Sequence, residues 1–290
     1  MTTTTHEEHG KDGSGCGSGG CGGGAAAALE KAVLQGSLSR INHKLMVMSG
    51  KGGVGKSSVS ANLAVELGRR GYRVGLMDVD LHGPSIAGMM GIKGLLDVSE
   101  KRRVIPKSYN DNVKVVSMQS LLVDGDQAVI WRGPAKHGVI RQFISDVQWG
   151  DLDFLVIDAP PGTGDEPLSV VQTISDAKAI IVTTPQEVAL ADVRKSISFC
   201  RTVHLEIVGV LENMGPFACP CCNKIIAPFQ SGGGAKMAQQ AAVDFLGTLP
   251  FDVKVVKACD EGAPIVDDNS QSAFSIALAK SVDRLLAKLL

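Results

Sequence analysis

Along this chain short apolar runs alternate with longer stretches of helical character. The runs Leu45–Met48, Val74–Met77, Val113–Val116, Phe154–Ile157, Ala179–Thr183, Ile207–Leu211 and Phe245–Leu249 read as strands. Between most of them lie helical patterns, as in Ser57–Arg70 and Leu190–Thr202, and Phe274–Leu290 closes the chain with a further one. Strands alternating with helices predict an α/β fold whose mostly parallel sheet is flanked by helices on both faces. Ala25–Ser37, rich in Ala and Leu, predicts a helix ahead of the first strand. Residues 1–24 are Thr, Gly and Ser for the most part and have nothing to pack, so they read as a flexible tail. Residues 25–290 read as one domain, because no linker-like stretch divides them, and Ser231–Gly234 is a turn inside it.

Composition narrows this picture. Hydrophobic residues are 44% of the 290 and aromatics only 4%, so the core is mainly aliphatic, as in buried parallel sheets. A formal net charge of −1 removes bulk charge as an argument for nucleic-acid binding. No run reaches the roughly 18 apolar residues of a membrane helix, and residues 1–24 lack the apolar centre of a secretory signal. The expectation is a cytoplasmic chain whose thiols stay reduced. Its seven cysteines then point to metal or redox chemistry rather than to disulfides.

The clearest chemical signal follows the first strand. Gly50, Lys51, Gly52, Gly53, Val54, Gly55, Lys56 and Ser57, with Ser58 next, fit G-x-x-x-x-G-K-[ST] between a strand and a helix. Glycines let backbone N–H groups curl around phosphates, and the helix N-terminus adds its dipole. Lys56 is expected at the β- and γ-phosphates, and the Ser57 hydroxyl on Mg²⁺. The run Phe154–Ile157 ends in Asp158, the form of a Walker B carboxylate near that ion, and a Gly- and Pro-rich loop runs on to Asp165. Asp78 and Asp80 end another strand, where they suit metal-shell or water-positioning work; a turn cap explains Asp78 equally well. Lys51 reads by itself as a solvated charge.

These residues resemble a known family. Lys51 to Lys56 look like the deviant Walker A of MinD- and ParA-like ATPases. Met77 to Ser85, Trp131 to Pro134, Asp158 to Asp165 and Cys219 to Cys222 narrow the resemblance to the Mrp/ApbC branch, the iron–sulfur cluster carrier ATPases. It spans roughly residues 25–290. It implies a homodimer sandwiching two ATP molecules, with Lys51 reaching the partner's nucleotide. It also implies that Asp80 is the switch I aspartate needed for hydrolysis, that residues 158–165 form switch II, and that Asn213 faces adenine. An Asn amide can meet both the donor and the acceptor edge of adenine, although Asn is also a common turn residue.

Cys219 and Cys222 form a C-x-x-C pair with Cys221 between them. Two thiolates so spaced can hold one metal or one edge of a cluster, but they are half of a four-ligand site. Two copies about a two-fold axis supply four, enough for a bridging [4Fe–4S] cluster, and the resemblance implies the same arrangement. A structural zinc fits these ligands equally well. Cys221 reads as a spare thiol or an alternative ligand. Cys16 and Cys21 are possible further ligands, although eukaryotic-type relatives carry four N-terminal cysteines where this tail has two. His6 and His9 read as solvated. Cys200 and Cys259 read as small buried residues.

The function so read is an ATP-binding and slowly hydrolysing cluster carrier that passes a labile cluster from scaffold proteins to apo-proteins. The alternatives are a MinD- or ParA-like ATPase acting on membrane or DNA, and a zinc-bearing ATPase. A membrane role needs a basic amphipathic C-terminal helix; Lys280, Arg284 and Lys288 are few cations for one, and packing on the sheet explains the apolar face of Phe274–Leu290 as well. A nitrogenase-iron-protein-like reductase would carry a cysteine just after switch II, and residues 158–171 contain none.

Overall fold

Parallel strands buried on both faces send alternate side chains into two separate cores, and the central strands of this chain do so. The computed structural model describes residues 22–80, 83–100, 103–121, 133–229, 231–267 and 271–290. Cys16, Cys21, His6, His9, Leu81, His82, Trp131 and Arg132 lie outside them. The sheet comprises β1 (Ile41–Met48), β2 (Val74–Asp78), β3 (Lys107–Ser108), β4 (Val113–Ser117), β5 (Leu152–Asp158), β6 (Lys178–Thr183), β7 (Glu206–Gly215) and β8 (Phe245–Pro250). Its order is β8-β7-β6-β1-β5-β2-β4-β3. All pairings are parallel except that of β3 with β4.

Nine helices connect and cover these strands among the described residues: α1 (Gly22–Leu38), α2 (Lys56–Arg69), α3 (Ile86–Met89), α4 (Gly133–Asp146), α5 (Asp165–Thr173), α6 (Glu187–Thr202), α7 (Gly233–Gln240), α8 (Val253–Asp260) and α9 (Ala273–Leu289). On β1, Met46 and Met48 enter one core and Leu45 and Val47 the other; on β5, Leu155 and Ile157 oppose Phe154 and Val156 in the same way. The first core is closed by residues such as Leu34 of α1, Phe143 of α4, Val170 of α5 and Ile197 of α6. The second is closed by Val59 and Leu67 of α2, Ile86 of α3, Val255 of α8 and Phe274, Leu278, Val282 and Leu285 of α9.

Each of the seven apolar runs is a strand at its expected place. Three features differ. The edge strand β3 is two residues long and escapes a search for apolar runs, and two more two-residue ribbons pair Asp97–Val98 with Val104–Ile105 and Phe217–Ala218 with Ile225–Ile226. The first helix begins at Gly22 rather than Ala25. The turn expected over Ser231–Gly234 is shorter: Gly232, at φ 76°, ends it and α7 starts at Gly233. Glycine adopts that left-handed conformation without the clash a Cβ would bring.

Candidate functional site

Strands β1, β5 and β2 are neighbours, so their carboxyl ends place three loops side by side. Val47 pairs with Asp158, and Asp78 pairs with Asp158 on the other side. Crevices at carboxyl ends are where open α/β sheets bind ligands.

The loop after β1 has two glycines that depend on their lack of a side chain. At Gly50 a Cβ would lie 2.5 Å from the backbone of Asp192 in α6. Gly55 has φ 79° and caps α2, and a Cβ there would lie 2.4 Å from Asn213 Nδ2. The Ser49 hydroxyl donates to Lys51 O at 2.9 Å, and Gly162 N, in the loop after β5, donates to Ser49 O at 2.8 Å. The phosphate loop and the loop of Asp158 are thus tied together by backbone.

Asp158 is fully buried and lies at the centre of the cluster. Lys56 Nζ is 2.8 Å from Asp158 Oδ2, to which the Ser57 hydroxyl donates at 2.6 Å, while the Ser60 hydroxyl donates to Oδ1 at 2.7 Å. Lys56 Nζ is also 4.0 Å from Asp80 Oδ2, and Asp80 accepts from Gly83 N at 3.3 Å. A buried lysine between two carboxylates and a hydroxyl is stored in place, and an incoming phosphate is a competing partner of the same chemistry. The oxygen ligands of Ser57, Asp80 and Asp158 suit a hard cation such as Mg²⁺.

Asp78 has the capping role that was one of its two readings. Its Oδ1 accepts from Asp80 N at 3.1 Å, and its Oδ2 accepts from Ile86 N at 3.2 Å and from the Ser117 hydroxyl at 2.9 Å. It therefore fixes the turn that carries Asp80 and the first turn of α3. Burial, and secondarily the negative charge of Asp158, push its carboxyl up to about 7.

The remaining expected residues divide. Lys51 is half-buried and makes no ion pair among the described residues. The Ser58 hydroxyl faces the Cys259 thiol and partly offsets the upward push of burial on it. Asn213, at the end of β7, donates to Val54 O at 2.9 Å, so its amide touches the phosphate loop itself. Sequence reasoning missed Ser60, one turn after Lys56, and Ser117, which partners Asp78; neither belongs to a motif, and only the packing of α2 and β4 brings them to the carboxylates. It also missed Glu212, fully buried, whose carboxylate accepts from Gly234 N at 2.6 Å and from the Thr248 hydroxyl at 3.1 Å.

The cysteine pair lies on a turn between Phe217–Ala218 and Ile225–Ile226, directly beyond β7. Cys219 N donates to Lys224 O and Asn223 N to Cys219 O, both at 2.9 Å, and Asn223 takes φ 58° to close the turn. The backbone N–H groups of Cys221 and Cys222 hold the Cys219 thiol below its usual range, because they favour the thiolate. Cys221 and Cys222 are exposed. Among the described residues no three Cys, His, Asp or Glu side chains converge as a metal site, so one chain offers the pair alone. Cys200 and Cys259 are buried, as read, and burial pushes the Cys200 thiol up to about 12.

Comparison with known proteins agrees with this geometry. Residues 40–286 match the family described as the ParA: NUBPL iron-transfer P-loop NTPase. The iron-sulfur cluster carrier protein of Methanocaldococcus jannaschii is 44% identical over 264 residues, covering 90% of this chain and 91% of its own. The rat (Rattus norvegicus) cytosolic Fe-S cluster assembly factor NUBP2 is 41% identical over 263 residues, covering 89% of this chain and 97% of its own. Among solved structures, the nucleotide-binding protein of Archaeoglobus fulgidus in complex with ADP superposes with a TM-score of 0.73 at 36% identity, covering 85% of this chain and 96% of that one. The cell division ATPase MinD of Pyrococcus furiosus does so at 0.64 and 25%, covering 86% and 100%. With its phosphate loop, its buried Walker B carboxylate and its cysteine turn in these positions, the chain belongs to the NUBPL iron-transfer branch of the P-loop NTPases.

Proposed function

We propose that this protein is an ATP-hydrolysing iron–sulfur cluster carrier, whose homodimer holds a labile cluster between two Cys219/Cys222 pairs and passes it to apo-proteins. The observation that carries this reading is the cysteine turn. Its Cys219 thiol is held below the usual range by two backbone N–H groups, and among the described residues each chain supplies a pair of ligands. Two pairs across a two-fold axis make the Cys₄ set of a [4Fe–4S] cluster. The names of the archaeal and rat relatives support the same cargo and a cytosolic setting.

In this reading ATP lies over residues 50–57, with loop N–H groups and the N-terminus of α2 on its phosphates. Lys56 leaves Asp158 for the β- and γ-phosphates, and Lys51 reaches the nucleotide of the partner subunit. Ser57 holds Mg²⁺, with Asp80 and Asp158 in its surrounding shell; the ion, when bound, neutralises charge on the phosphates. Asp80 orients the attacking water.

The test is metal content. Anaerobically purified protein, reconstituted with iron and sulfide, is expected to show broad visible charge-transfer absorbance and about four irons per dimer. Both signals should vanish in Cys219→Ala and Cys222→Ala. Absorbance that survives in those variants would overturn the site, and stoichiometric zinc without sulfide would replace the cluster by a structural metal.

A further inference from the structure

The phosphate loop and the cysteine turn are joined by one short piece of chain, and its conformation is unusual. From Asn213 to Cys219 is six residues, at most about 20 Å even when fully extended. Asn213 grips Val54 O at 2.9 Å. The methyl of Met214 lies 3.5 Å from where a Cβ would stand on Gly55, the residue that caps α2. Met214 itself has φ 59°, in the left-handed region that favours glycine. A non-glycine residue keeps such a conformation only where its surroundings over-determine it, and such residues cluster at switch regions.

The surroundings on each side of Met214 are stiff. Upstream, Glu212 is buried and clamped by Gly234 N and the Thr248 hydroxyl. Downstream, Phe251 N donates to Gly215 O at 2.9 Å, Pro216 fixes its own φ, and the rings of Phe217 and Phe251 are 5.6 Å apart. Met214 is the left-handed residue between these two pinned segments. The segment beyond it leads directly to the cysteine turn.

We infer that Met214 is a positioning residue: its left-handed backbone conveys the state of the phosphate loop, felt through Val54 and Gly55, to the Cys219/Cys222 pair. The inference rests on the proposed carrier function for its purpose, but its mechanical content concerns only nucleotide and thiols. When phosphates draw the N–H groups of residues 53–55 toward themselves, Val54 O and Gly55 shift, Asn213 and Met214 follow, and the cysteine turn changes its presentation. Replacing Met214 by glycine removes the conformational restriction and lets the movement dissipate. Asparagine, which tolerates left-handed backbone, preserves it.

The experiment uses the cluster-free full chain and reads alkylation rates of Cys219 and Cys222 by mass spectrometry, with and without a saturating non-hydrolysable ATP analogue and Mg²⁺. Dimer fraction is matched by light scattering. In the parent protein the nucleotide is expected to change these rates by about fivefold or more, the lower end of usual site-to-site coupling. Met214→Gly should bind the analogue normally in a fluorescent-nucleotide titration yet lose most of that change, and Met214→Asn should keep it. A parent protein without nucleotide response, a Met214→Gly variant that responds like the parent, or a Met214→Asn variant as unresponsive as Met214→Gly would each overturn the inference. Because no cluster is needed, failed cluster reconstitution with intact thiol coupling would sink the carrier function and leave this inference standing.

Discussion

At the scale of single residues, the site is organised around carboxylates that have nowhere to go. Asp158 is satisfied by Lys56, Ser57 and Ser60, and Asp78 by two backbone N–H groups and Ser117. Asp78 carries a pH signature. Its carboxyl is pushed up to about 7 in the folded protein, above its ordinary value of 3.8. Between about pH 4 and 7 the folded state therefore holds a proton that the unfolded chain has released, and stability falls as pH rises through that window. Asp78→Asn cannot titrate, so denaturant unfolding of the nucleotide-free variant across this range should give a flatter slope than the parent. An equal slope would show that another group is responsible. Residues named by motifs, such as Lys56 and Asp158, were legible in the sequence because phosphate chemistry demands them at fixed spacing. Ser60, Ser117 and Glu212 were not, because their roles come from neighbours distant in sequence.

At the scale of elements, α9 separates two readings that its pattern alone left open. Phe274, Leu278, Val282 and Leu285 are each at most 2% exposed and lie in the core between α2 and the sheet. Two of its three cations are engaged within the chain as well: Arg284 donates to Leu246 O at 2.9 Å, and Lys288 pairs with Asp244. Truncating a fully buried leucine costs roughly 2–5 kcal/mol. Leu285→Ala should therefore lower unfolding stability by about 3 kcal/mol in urea titration, while the parent should not sediment with anionic liposomes in ATP. A near-neutral Leu285→Ala together with liposome binding would reverse the assignment of this face. Amphipathic periodicity states that one face is apolar and is silent on what covers it. The same limit applies to β3 and the ribbon before the cysteines, since two-residue strands have too few positions to show a period.

At the scale of the whole molecule, the topology places the phosphate loop, the two aspartate loops and the start of the cysteine turn at the carboxyl ends of the parallel strands. Both proposed chemistries depend on a second copy, because one chain supplies two of four thiolates and Lys51 is assigned to the partner's nucleotide. Two variants separate these roles. Asp80→Ala should bind ATP and dimerise while its hydrolysis falls by at least about a hundredfold, as loss of a water-positioning group implies. Lys51→Ala should bind ATP as a monomer, read by sedimentation velocity. An Asp80→Ala variant with parental turnover, or a Lys51→Ala variant that dimerises like the parent, would refute the respective role.

The sequence by itself determined the strands of the buried sheet, the phosphate loop, the Walker B aspartate and the cysteine pair. Each of these is dictated locally, by hydrophobic period or by chemistry that needs particular residues at short spacing. Tertiary structure alone decided that Asp78 caps the turn of Asp80 and the start of α3, that α9 packs on the sheet, and that Asn213 grips the phosphate loop. It also decided that Met214, a residue without any motif, sits in a left-handed conformation between nucleotide loop and thiols. These depend on which distant elements meet, and on what a backbone must do to let them meet, which no local spacing encodes.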